Sequence, residues 1–121
     1  MPMDKFAALL TALMATPLAA DPVMIVAADV TAEDEGWRVS VTLRHPDTGW
    51  DHFADAWEVQ DSTGNPLARR DLAHPHVDEQ PFTRALGGVI IPGELGTVRI
   101  VARCSVTGWS TAVFVLPVPR D

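Results

Sequence analysis

A two-residue alternation of apolar and polar side chains, interrupted every few residues by turn formers, is the feature that most restricts how this chain can fold. In residues 37–44, Trp37, Val39, Val41 and Leu43 fall on one side, and Arg38, Ser40, Thr42 and Arg44 on the other. Successive strand side chains point to opposite faces, so this run predicts a strand buried on one side only. Comparable runs occupy residues 24–30, 53–60, 67–72, 82–86, 89–91, 97–105 and 111–118. In residues 53–60, Phe53, Trp57 and Val59 are expected on one face. The Gly87-Gly88 pair predicts a bend or bulge. Residues 61–66, Asp-Ser-Thr-Gly-Asn-Pro, predict a turn. No segment keeps a helical period for long. About seven short strands at roughly ten-residue spacing predict an all-β chain, an antiparallel Greek-key sandwich of the immunoglobulin or fibronectin type III kind. Trp57 lies mid-strand, where such sandwiches bury a tryptophan.

The first twenty residues read differently. A short polar start is followed by an apolar run from Phe6 to Ala15, broken only by Thr11, and then by Thr-Pro-Leu-Ala-Ala. That order predicts a signal peptide over residues 1–20, cleaved after Ala20, with residues 21–121 as a single β-sandwich domain. The apolar run, about ten residues, is half of what a bilayer-spanning helix needs. Export into the periplasm or beyond the cell is therefore expected, with no integral membrane association.

The net charge is -7, and the leader's Lys5 and Asp4 cancel, so the same charge remains without it. Nucleic-acid binding rests on a basic surface that displaces counterions, and this acidic chain offers none. Cys104 is the one cysteine, so no internal disulfide can form and the fold must rest on its hydrophobic core. Cys104 shares the phase of Val98, Ile100 and Ala102 and reads as a small core residue. Arg84, Arg99 and Arg103 read as solvated strand-face residues.

The chemistry of the chain gathers in two loop-like segments, residues 45–55 (HPDTGWDHFAD) and residues 74–81 (HPHVDEQP), which hold all four histidines. A residue before proline is pushed into extended backbone. Side chains two apart in an extended chain lie on one side, about 6.6 Å apart. His74 and His76 can thus converge on one metal ion, with His45 or His52 completing the set if the two segments meet. Imidazole-rich sites suit Cu(II), Zn(II) or Ni(II), with Asp51, Asp78 or Glu79 as carboxylate partners. The same residues also suit turns held by side-chain hydrogen bonds. Asp47, Asp51 and Asp55 lack the compact loop of a calcium site.

No nucleophile motif accompanies the Ser, His and Asp residues, and no enzyme activity is expected. The primary expectation is a non-enzymatic accessory or binding module, its partner another exported protein. A periplasmic copper or zinc protein using the histidine cluster is the alternative, and a carboxylate-dependent hydrolase a third. The segments HPDTGWDHFADAWEV (45–59) and HPHVDEQPFTR (74–84) resemble those of a family of small, uncharacterised exported bacterial proteins. The resemblance covers about a third of the chain. It implies that the two segments belong together and brings no activity, ligand or site residue with it.

Overall fold

The computed structural model describes residues 22–120, and the proposed leader and its cleavage point lie outside them. Eight strands follow one another: β1 (Met24–Ala32), β2 (Trp37–Arg44), β3 (Ala54–Gln60), β4 (Pro66–Asp71), β5 (Phe82–Val89), β6 (Thr97–Cys104), β7 (Gly108–Trp109) and β8 (Phe114–Pro117). They form two antiparallel sheets. One has the order β1-β2-β5. The other has the order β4-β3-β6, with β7 and β8 both paired to β6. Among the described residues no helix is long and apolar enough to cross a membrane.

The alternation read in residues 37–44 is kept: Val39, Val41 and Leu43 are buried, while Arg38 and Arg44 are exposed. These side chains meet Trp57, Val59, Val98, Ile100 and Leu116 of the other sheet in one hydrophobic core. Trp57, in the central part of β3, is wholly buried. Burying side chains of this size contributes about 1.5–3 kcal/mol each, and here it does so without a disulfide. Hairpin turns set the strand register. Asp61 accepts hydrogen bonds from the Thr63 hydroxyl and from the backbone N–H groups of Thr63 and Asn65, and these hold its carboxyl below the ordinary range, Thr63 most of all. At the β1–β2 turn Gly36 has φ +80°, and a Cβ there would lie 2.8 Å from the Val89 carbonyl oxygen.

The strand ladders carry four register shifts, and two of them bear on the sequence reading. Between the pairs Trp37–Val89 and Val39–Leu86, two residues of β5, Gly87 and Gly88, face one residue of β2. This is the bulge the glycine pair predicts. The second was not anticipated. Ala54 pairs with Cys104 and Ala56 with Arg103, so Asp55 is the extra residue of β3. The bulge shifts the phase of the strand start, and Ala54 rather than Phe53 joins the core face of Trp57 and Val59. Phe53 is only half-buried and meets Trp50 edge-on at 5.7 Å.

The antiparallel order brings the β2–β3, β4–β5 and β6–β7 connections to one end of the molecule. Leu72 N–H donates to the Asp55 carbonyl, and Phe53 and Ser105 exchange backbone and side-chain hydrogen bonds there. Both histidine segments lie at this end.

Candidate metal centre

The β2–β3 connection leaves the sheet at His45, which is 1 % exposed although it belongs to a loop. Its backbone N–H donates to Gln80 Oε1 at 2.9 Å. The Asp47 N–H returns to the His45 carbonyl at 2.8 Å, a tight local fold that swings the Asp47 carboxylate beneath the ring. The chain then closes a narrow turn in which His52 N–H donates to the Gly49 carbonyl and Thr48 N–H to the His52 carbonyl. Trp50, at the tip, is 69 % exposed. The turn brings His52 back against His45, ring centroids 4.9 Å apart and nearly perpendicular.

Asp47 joins the two histidine segments. Its Oδ1 accepts from His45 Nδ1 at 2.6 Å and from Ala54 N–H at 3.0 Å; its Oδ2 accepts from His76 N–H at 2.8 Å. A carboxylate left alone in the interior would be costly, and these three N–H donors offset its burial. Gln80 makes a second link, because its Nε2 donates to the His76 carbonyl while its Oε1 accepts from His45.

The bond to Asp47 also fixes the chemistry of the first ring. An ionised carboxylate only accepts, so Nδ1 carries a proton, and a ring bearing that proton alone keeps its lone pair on Nε2. That Nε2 is buried and has no hydrogen-bond partner. His45, His52 and Cys104 each offer a donor atom within 4.8 Å of the other two, the one such group of three among the described residues. Cys104, at the end of β6 opposite Ala54, is wholly buried, as its phase in the sequence predicts. Its Sγ accepts from Val106 N–H at 3.5 Å. Two imidazoles and a thiol, one ring oriented through its far nitrogen by a carboxylate, match a transition-metal donor set together with its outer support.

His74 and His76 stand outside this group. Their rings do lie side by side, centroids 4.6 Å apart. His76 is stacked on Phe82, 3.9 Å between centroids and 8° from parallel, and its Nε2 lies 2.8 Å from Arg84 Nη2. A guanidinium only donates, so the His76 Nε2 lone pair is already engaged. Burial foremost, then the charge of Arg84 and then His74, pushes the His76 ring below the ordinary histidine range. His74 is exposed and lies 3.0 Å from the Pro75 carbonyl through its Nδ1. Asp51 and Asp78 are exposed, and Glu79 lies 3.4 Å from Arg84.

Three residues of this end escaped the sequence reading. Cys104 was read for packing and not as a donor. Its clue is topological, since it pairs with Ala54, two residues after His52. Gln80 carries no chemical signature in the sequence. Arg84 was read as solvated, as were Arg99 and Arg103. In the fold Arg84 caps His76, Arg103 pairs with Asp55, and Arg99 has a buried Nε without a partner.

The chain matches no protein-family model, and no solved structure matches it. A protein of Halomicrobium mukohataei named "Putative lipoprotein" is 47 % identical over 60 residues, covering 47 % of this chain and 29 % of that protein. It is a partial homologue, and this chain spans under a third of its length.

Proposed function

We propose that the protein is an exported, non-enzymatic binding module that holds one transition-metal ion through His45, His52 and Cys104. The carrying observation is the buried, unpartnered Nε2 of His45, whose ring Asp47 holds in place beside a thiol and a second imidazole. Buried polar nitrogens are nearly always paired. Trp57 Nε1, His76 Nδ1 and Arg99 Nε also lack partners here, and His45 differs from them in having a thiol and a second imidazole within donor distance. This reading exchanges the expected His74/His76 core for His45, His52 and Cys104, because Arg84 already occupies the His76 nitrogen. Copper and zinc are the fitting ions for imidazole and thiolate donors.

The fold is read as a Greek-key sandwich of the fibronectin type III kind. In support, the order β1-β2-β5 stands opposite β4-β3-β6 with β8 beyond β6, and no disulfide joins the sheets. Export to the periplasm or the cell exterior rests on the leader pattern of residues 1–20 and on the name of the partial homologue.

Titration of the full chain with Zn(II), Ni(II) and, anaerobically, Cu(I) tests the metal reading. One equivalent should bind with a Kd of about 1 μM or tighter. His52→Ala and Cys104→Ala should abolish binding, and His74→Ala should retain it. No saturable binding, or binding lost only with His74, overturns the assignment.

A further inference from the structure

We propose, resting on the metal reading above, that the ion this site selects is copper in its cuprous state. The donor count is the first argument. His45, His52 and Cys104 supply two nitrogens and one sulfur, and no fourth His, Cys, Asp or Glu joins them among the described residues. Zinc in proteins takes four ligands in a tetrahedron. Asp47 does not join the group and is engaged elsewhere: Oδ1 holds His45 Nδ1 and Ala54 N–H while Oδ2 holds His76 N–H. Glu79 lies against Arg84, and Asp51 and Asp78 are exposed.

Burial is the second argument. Cys104 and His45 are closed off from solvent and His52 is half-buried, so water could complete a tetrahedron only from the His52 side. Soft thiolate selects Cu(I), imidazole suits copper, and two imidazoles with one thiolate form a trigonal copper donor set. The Val106 N–H directed at Sγ is a bond that a thiolate accepts more strongly than a thiol.

Binding is a plain exchange. The Cys104 S–H bond breaks and its proton goes to solvent, a S–Cu bond forms, and the lone pairs of the two neutral imidazoles complete the trigonal set. No oxidation state changes.

The test is an anaerobic titration of the full chain with Cu(I) held by a chromophoric Cu(I) chelator, run beside a Zn(II) titration. The expected result is one Cu(I) per chain with near-ultraviolet thiolate-to-copper absorption and release of one proton. Zn(II) should bind more weakly. Cys104→Ser should lose the absorption and weaken Cu(I) by about 100-fold or more, at least the cost of losing an outer-shell partner. His52→Ala, at a half-buried position, gives a second reading of the same loss if Cys104→Ser does not fold. Zn(II) binding as tightly as Cu(I), or bound Cu(I) without the thiolate band, overturns the copper inference and leaves the metal reading standing. Binding of neither ion overturns both.

Discussion

The two histidine segments begin alike, each with a His-Pro pair and a second histidine within seven residues, and end in opposite chemical states. In residues 45–55 the carboxylate of Asp47 accepts a hydrogen bond from His45 Nδ1–H on one side of the ring, and a buried nitrogen without a partner is left on the other. In residues 74–81 the His76 ring is stacked on Phe82 and its nitrogen faces a guanidinium. One imidazole is ready to give a lone pair, and the other has given it. What separates them is the sign of the charge delivered by the neighbouring chain, a carboxylate in one case and Arg84 in the other. Histidine count and spacing therefore do not decide which ring is a ligand.

Removing the residue that joins the segments should have the largest effect. Asp47→Ala leaves His45 Nδ1, Ala54 N–H and His76 N–H without their acceptor, and should cost about 3–5 kcal/mol in urea unfolding. It should also weaken metal binding about 10–100-fold, as loss of an orienting outer partner does. A loss below about 1 kcal/mol would mean that the two segments are held together by something other than this carboxylate.

His76→Gln should sharpen the contrast. It removes the stack on Phe82, costs about 1–2 kcal/mol, and leaves metal affinity unchanged. It should also remove a pH dependence. Above the ordinary histidine value of 6.5 the ring is neutral in both states, and its favourable packing is fully present. As pH falls through 6.5 the unfolded chain gains a proton that the folded ring resists. Arg84 and His74 oppose that proton, together with burial, and outweigh Glu79 and Asp47. Stability of the metal-free protein should decline on acidification from pH 6.5 downward, by at most about 1.4 kcal/mol per pH unit from this group. The urea midpoint measured against pH reads the effect, and a slope equally steep in His76→Gln would assign it elsewhere.

Arg84→Met is the direct attempt to break the contrast. With the guanidinium gone, His76 Nε2 and the adjacent His74 should accept a second, weaker Ni(II) or Zn(II), raising the calorimetric stoichiometry from one to two. Stability should fall by about 1–1.5 kcal/mol, since Arg84 is only partly exposed and the buried His76 Nε2 loses its donor. Continued one-to-one binding would show that Arg84 is not what keeps His76 from metal. The smallest effect is expected from Trp50→Ala at the exposed tip of the first segment, within about 0.5 kcal/mol by urea unfolding.

Residues 37–44 were readable because one face of β2 is buried and the other is not, so the alternation survives directly in the sequence. The turn at residues 61–66 and the bulge at Gly87-Gly88 were readable because their residue types carry the conformation themselves. The bulge at Asp55 was not, since nothing in Ala-Asp-Ala marks an extra residue; it arises from pairing with β6. The site was half readable. His45 and His52 stood out by type, whereas Cys104 lies 52 residues beyond His52 and reaches it only because β6 pairs with β3.

By itself, then, the sequence determined that the described residues form paired sheets around an apolar core, and that the histidines lie in the loops between them. Periodicity and turn chemistry are local, and a local pattern is enough to specify them. Which imidazole keeps a free lone pair was decided only in three dimensions. That outcome depends on how the loop folds the Asp47 carboxylate back onto His45 and on Arg84 reaching His76 from β5. Electrostatics and hydrogen bonding act over ångströms of space, irrespective of separation along the chain.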